Sequence, residues 1–576
     1  MTPDLVEAAV RAGRSFTGEN LFDLDLRGRD LSGANFARTR IANVRFDGAT
    51  LAGASFEGAQ ILGFKATGAN LEGCNLRGIV ASAADLGGAR LRGADATEAQ
   101  LPQANLIGAD LGGAKLKDAV LIGAALSGVS LRGNDLEGAH FDTAKLDGAD
   151  LSEASLARAT FCEADLTGAK LCGALLRDVA LSRAKLRGAD FTGATLEGVS
   201  LSGADLRGAM LPKKAERTLF DGALLADPDL QGANLRGSDI EGMDLSKIDL
   251  SGADLTGSSL QGTRLSGANL RGARLERCNL SGCDLRGADL TGARLRMCIL
   301  NDAILEGVDL AGQELEMVML SKADLTGANL AGARLERCLL DQANLARANL
   351  TRATFKNSIL REAVLEKVVI DRTLFVGVDF SGVYLRGLRL RGLTLQRCFF
   401  KGADMQGMDL KGCDFTESNF TGADLRNATL EGAILQRANF KEARMELANL
   451  SEAQAKAAFF GEAVLKSARL TRAKLRNATF TDADLEHAKL DGADLREAIF
   501  LRARAGGASF MGARLHHADL SHADVSGADL RDADLFTANL HALIDRNAIW
   551  TGASLLGARR TDPDRLEAET WMPPQG

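Results

Sequence analysis

Proline is scarce in this chain of 576 residues: there are 7, alongside 2 Trp, 1 Tyr and 6 His. So few prolines, together with 46% apolar residues, exclude a disordered or collagen-like polymer. Net charge is nearly missing too, since 69 Lys and Arg offset most of 76 Asp and Glu and leave −7. That balance excludes the concentrated positive field that direct nucleic-acid binding needs, and a strongly acidic surface as well. No apolar run approaches the length of a membrane span. The start, MTPDLVEAAVRAGRSF, has no basic segment followed by an apolar stretch. A soluble, cytoplasmic protein is expected, with export that needs no such signal left open.

What the chain does have is glycine, 63 residues of it, and a period of five. Segments such as ANLEG, ADLGG, ANLIG and ADLTG follow one another almost without a break. Taking the large apolar residue as the centre of each unit, centres run every five residues from Phe16 to Leu211, about 40 units. The frame then moves by one, and centres run from Phe220 to Leu555, about 68 more. Ala66, Ala81, Ala96, Ala455, Ala505 and Asp545 are the centres without a large apolar side chain.

Neither simple element suits this period. On an α-helix five residues advance about 140° beyond a full turn, so the centres would spiral around every side. A straight strand would place successive centres on opposite faces. A chain that turns a corner every five residues keeps all of them inside. The residue two before each centre then points inward as well and must be small; Ala84, Ala89, Ala94, Ala99, Ala104 and Ala109 stand there in an unbroken row.

The pattern resembles the pentapeptide-repeat family, with its A(D/N)LXX consensus, over residues 16–555. The resemblance implies an all-β right-handed quadrilateral β-helix with four units per coil. Two features of the sequence support a period of twenty independently. Phe380, Phe400, Phe420, Phe440, Phe460, Phe480 and Phe500 fall in one column. The outward residue before the centre alternates in charge at the same spacing: Lys145, Asp165, Lys185, Asp205; Lys474, Asp494, Arg514, Asp534; and Asp484, Arg504, Asp524. Stacked neighbours lie about 4.8 Å apart, where opposite charges help and like charges repel. About 27 coils and a rod about 130 Å long follow. A coil buries four centres at roughly 1.5–3 kcal/mol each, while ordering its residues costs about 1–2 kcal/mol apiece. One coil cannot fold alone, so stacking must supply the difference.

The expected organisation is an N-terminal helical cap over 1–15, a first solenoid segment over 16–211, a frame-breaking loop over 212–219, a second segment over 220–555, and a C-terminal cap or tail over 556–576. Stacked strands expose an adhesive edge at each end. Thr2-Pro3 and Asp562-Pro563 each open a helical stretch, and Trp571 is expected over the final coil. A capped end also offers a surface for a homodimer. At the frame shift, nine residues separate Leu211 and Phe220 where ten would continue the repeat. The chain there forms either one unit with four extra residues or two tightened units. Lys213, Lys214, Glu216 and Arg217 are the candidate interaction residues, with a tolerated insertion as the alternative.

Between 363 and 400 the small inward residue gives way to Val368, Val378, Val383, Leu388 and Leu393, which should widen or distort the coil. Arg386, Arg389, Arg391, Arg397 and Lys401 make this the most basic stretch, read either as a binding patch or as a solvated face.

Seven of the 9 cysteines, Cys74, Cys278, Cys283, Cys298, Cys338, Cys398 and Cys413, occupy the small inward position and read as packing residues. Cys162 and Cys172 point outward on opposite faces, too far apart to bridge. No CxxC occurs, and the inventory suits a reducing compartment. His522 and His541 lie nearly one coil apart and can approach, but a metal would need further ligands. Phosphate loops, GxSxG elbows and HExxH motifs are absent.

No catalytic residue, metal or cofactor is expected. The leading expectation is a non-enzymatic scaffold or adaptor for protein partners of unknown identity, with no direct nucleic-acid contact. Two alternatives come with the resemblance: a DNA-mimicking modulator of gyrase, and a component or effector associated with bacterial type VI secretion.

Overall fold

The computed structural model describes residues 1–571, and between the two terminal helices each pentapeptide forms one side of a square coil. The chain falls into two compact units, Met1–Arg294 and Leu295–Gly576. In each, strands pair in parallel with the strand twenty residues away, with one pair in the first unit at nineteen: Leu21 lies against Ile41 and Ile41 against Ile61, while Leu335 lies against Phe355 and Phe355 against Phe375. The fold is the β-solenoid that the resemblance implied, with a coil of twenty.

The corner explains the consensus. The residue two after each centre takes a left-handed φ, as at Gly33 (68°) and Asp23 (53°), so glycine is common there. The Asp or Asn before the centre caps the same turn. Its side-chain oxygen accepts from the backbone N–H two residues on, from Ser32 at Asp30 (3.1 Å) and from Ala37 at Asn35 (3.0 Å). The consensus acid is therefore a local turn device first and a member of a charge column second. Both roles coexist, since Lys145, Asp165, Lys185 and Asp205 stack in register and Lys185 reaches Asp165 at 3.3 Å.

Inside, the centres and the small residues before them fill the coil. Even the small centres Ala66, Ala81, Ala96, Ala455 and Ala505 are buried, while Asp545 is exposed. From Phe380 to Phe500 the rings stack with centroids 4.8–5.3 Å apart. Several polar residues replace the inward Ala by donating to a carbonyl of the preceding coil. Ser258 donates to Leu235 (2.6 Å), Thr263 to Ile240 (2.8 Å) and the Cys278 thiol to Leu255 (2.8 Å).

The two ends differ. Helix α1 (Pro3–Arg11) buries Val6 completely, and Arg29 of the first coil pairs with Asp4 (2.8 Å) and Glu7 (2.9 Å). The first coil beneath it, with Phe16, Leu21, Leu26 and Leu31, is fully covered. Helix α2 (Pro563–Thr570) buries none of its residues. Among the described residues, Trp550 and Leu555 of the last coil stay half-exposed, and Trp571 is 69% exposed and does not lie over that coil.

Buried thiols give a direct check on this packing. Burial pushes Cys74, Cys278, Cys283, Cys338 and Cys398 up to about 12, and Cys413 to about 11. Cys162 and Cys172 are half-buried and raised as well, by burial first and then by Asp142 and Asp190 respectively. With Ellman's reagent near neutral pH, native protein should react at no residue beyond Cys162 and Cys172, and denatured protein at all 9. Fast native labelling of Cys278 would contradict the filled interior.

Candidate functional site

Between Met210 and Lys214 the coil is one residue short. Lys214–Glu216 is nonetheless a strand, paired with Thr195–Glu197 at a spacing of nineteen, with Ala215 buried as the centre. Of the two arrangements compatible with the sequence, the chain adopts the tightened one, and the ladder closes around the missing residue. Lys213 is drawn into that closure: it pairs with Asp229 (2.7 Å) and donates to the carbonyl of Gln231 (2.9 Å). Glu216 accepts from Asn234 (2.5 Å), and Arg217, at a left-handed corner, pairs with Glu197 (2.5 Å). Lys214 alone of the four has neither an ion pair nor a side-chain hydrogen bond among the described residues. Exposed Met210, Leu219 and Leu224 stand beside them, an apolar feature that the charged side chains concealed in the sequence.

The basic stretch lies where the ladder itself opens. Tyr384 and Arg389 bridge to neither neighbouring coil, and Leu388 is squeezed to a half-exposed position. Val383, Leu388 and Leu393 in succession overfill the interior, and the wall bows outward. Toward the following coil the opening is sewn by side chains: Arg386 pairs with Asp404 (2.8 Å) and Arg391 with Asp409 (3.4 Å). Toward the preceding coil no ion pair crosses among the described residues, and a surface crevice of about 610 Å³ remains. Lys367, Arg389 and Arg391 line it with Val368, Ile370 and Leu393. Arg397 and Lys401 are exposed and lie outside the crevice lining, so the five basic residues do not act as one patch.

One outward column is apolar. Ile299, Met319, Leu339 and Ile359 stack in register on consecutive coils, each half-exposed, between a column of Arg294, Glu314, Arg334 and Thr354 and a mixed column of Ile304, Asp324, Asn344 and Val364. The period of twenty makes this stripe visible in the sequence once the chain is read column by column.

At the C-terminal end His522 and His541 do meet. Their Nε2 atoms lie 2.9 and 3.1 Å from one oxygen of Glu569 on α2. Two imidazoles and a carboxylate suit zinc or nickel by type. The hydrogen bonding opposes it. The N–H of Asp562 donates to His541 Nδ1 (3.2 Å), which leaves the proton on Nε2, where it serves Glu569. A metal at Nε2 would drive that proton onto Nδ1, against the Asp562 N–H. The cluster is built as a latch that holds α2 to the last two coils.

Arg565 first, and His541 after it, hold the Glu569 carboxyl below its ordinary 4.5. The latch is therefore complete above pH 4.5 and loosens as pH falls through the lowered value. Glu569→Ala should reproduce that loosening at neutral pH, with amides of 563–570 exchanging about tenfold faster while those of the last coils keep their protection. Unchanged exchange in α2 would remove the latch.

A family profile described as pentapeptide repeats matches in segments between residues 20 and 542, and one described as a pentapeptide repeat region matches 135–211. No curated protein sequence matches. Among solved structures, HetL, a pentapeptide repeat protein involved in heterocyst differentiation regulation from the cyanobacterium Nostoc sp., is 26% identical. It covers 55% of this chain and 89% of its own, with a TM-score of 0.11. QnrB1, a plasmid-mediated fluoroquinolone resistance protein, is 20% identical over 34% of this chain and 92% of its own, with a TM-score of 0.20. A pentapeptide repeat protein from the Arabidopsis thaliana thylakoid lumen is 27% identical over 20% and 68%, with a TM-score of 0.11.

Proposed function

Because the chain belongs to the pentapeptide-repeat family, whose fold leaves the role to whatever its surface carries, we propose that it is a non-enzymatic scaffold that binds protein partners along its outer faces. Interior centres and small residues occupy the space in which a catalytic pocket would have to form, so chemistry is confined to the outside. The observation that carries the reading is the apolar stripe of Ile299, Met319, Leu339 and Ile359, unbroken over consecutive coils and flanked on one side by Arg294, Glu314 and Arg334. Contiguous exposed apolar surface of this kind is what protein partners cover.

A photo-crosslinking residue in place of Ile359, with the full chain as bait, tests this. The expected result is a defined set of crosslinked proteins, lost in the double variant Met319→Glu, Leu339→Glu. An identical set in that variant would sink the stripe as the contact surface.

Imitation of duplex DNA gains no support from the faces, because Lys474, Asp494, Arg514 and Asp534 alternate where a phosphate-like column would be uniformly acidic. The protein should leave gyrase supercoiling unchanged, and inhibition or protection would replace the scaffold reading. Self-association, where it occurs, belongs at the C-terminal end, since α1 covers the first coil and α2 leaves Trp550 and Leu555 open.

A further inference from the structure

We infer that the opened ladder between residues 363–371 and 384–391 is the seat of an extended, acidic peptide segment of a protein partner, taken up as an added strand. This rests on the scaffold reading and names one place where a partner would engage. The backbone carries the argument. In a regular coil the N–H of each centre donates to a carbonyl of the next coil, as Leu360 does to Asp379 (2.9 Å), and the N–H of each outward residue donates to the preceding coil. Here neither half of that exchange is made. Among the described residues the N–H groups of Leu365, Ile370, Tyr384 and Arg389 have no backbone partner, and neither do the carbonyls of Ala363, Val368, Tyr384 and Arg389. Two facing rows of unpaired donors and acceptors are a template for a strand.

Side-chain chemistry selects the strand. Val369 and Ile370 on one side and Leu388 and Leu393 on the other offer apolar contact for alternate residues of a guest. Lys367, Arg389 and Arg391 rim the crevice, opposed by Asp371, whose partner is its neighbour Arg372. Lys367 and Arg391 have exposed partners in Glu366 and Asp409. Arg389 has none among the described residues, so an acidic guest satisfies a cation that the free protein leaves open. Toward the following coil the N–H groups of Leu385, Leu390, Asp404 and Asp409 also lack a backbone partner among the described residues, but Arg386 and Arg391 pair there with Asp404 and Asp409 across the gap and leave no open cation for a guest. Leu365 with Tyr384 and Ile370 with Arg389 lie on adjacent sides of the square, so an extended guest of about five to seven residues follows the crevice around one corner.

The probe is a fluorescein-labelled heptapeptide of alternating Glu and Val, compared with its Lys-Val counterpart by fluorescence anisotropy on the full chain. The Glu-Val peptide should bind at least about tenfold more tightly, and Arg389→Glu should remove about tenfold of that affinity. Hydrogen exchange should show Leu365, Ile370, Tyr384 and Arg389 amides unprotected in the free protein and protected with the peptide bound. Leu388→Ala, which restores a small inward residue, should protect the same amides without peptide and abolish binding. Failure of the Glu-Val peptide to bind, equal binding of both peptides, or bound peptide with those amides still exchanging would each overturn the proposal. Crosslinked partners that persist in Leu388→Ala with the ladder closed would remove this crevice and leave the scaffold standing. Loss of every partner only in the Met319→Glu, Leu339→Glu variant would also place docking on the stripe instead.

Discussion

Phe440→Ala is expected to cost about 3–5 kcal/mol, among the largest effects of any single substitution in the chain. The ring is fully buried and stacked on both sides, 4.8 Å from Phe420 and 5.0 Å from Phe460. Truncation leaves a cavity that the neighbouring rings cannot fill, because each is itself held by the next ring in the column. Two aromatic contacts, each worth about 0.5–1.5 kcal/mol beyond burial, go with it. A stack of coils couples mainly to nearest neighbours, so the loss should appear first as local opening. Amide exchange at residues 421–460 should quicken well before the urea midpoint of the N-terminal coils moves. A uniform loss of protection along the whole chain would contradict nearest-neighbour coupling. A change under about 1 kcal/mol would contradict the tight stacking.

Ala448→Leu should open the ladder at a second place. Ala448 shares its column with Leu388 but is fully buried, with Asn449 donating to Ala428 (2.9 Å) and Leu450 to Arg469 (2.6 Å). A leucine there adds volume to a filled interior, at a cost of about 1–3 kcal/mol, and the wall has only one way to move, outward. Amides of Asn449 and Leu450 should lose protection as those of Tyr384 and Leu385 have done. Retained protection with a normal urea midpoint would mean that bulk at Leu388 is not what opens the coil at 384–391.

The period of twenty was legible because every coil must place one residue at the same point of the square. A column of Phe or of alternating Lys and Asp therefore marks itself at fixed spacing. The inward Val and Leu of 368–393 likewise announced a distorted coil, since side-chain volume is a property of sequence. What that volume does to the backbone was not legible. Whether extra bulk widens the core evenly or parts one ladder depends on which hydrogen bonds yield, and those at Tyr384 and Arg389 yielded while those at Phe375 and Phe380 held.

Residues 212–219 show the same division. The missing residue was countable, but the choice between an excursion and a tightened coil rested on whether Lys214–Glu216 could find the register of Thr195–Glu197. The charges of Lys213, Glu216 and Arg217 suggested a binding loop, and their partners Asp229, Asn234 and Glu197 absorb them into the wall. The turn-capping role of the consensus Asp was hidden behind its charge, because a carboxylate two residues from an N–H looks in sequence like any other surface acid.

The sequence by itself determined the coil, its contents and its period, since these follow from residue size and polarity repeated at fixed spacing. Only the tertiary structure decided where the wall parts, which cations keep a partner, that His522, His541 and Glu569 form one latch, and that α1 closes its end while α2 does not. Those outcomes depend on contacts between residues about twenty positions apart, each of which is a competition among neighbours that no local pattern records.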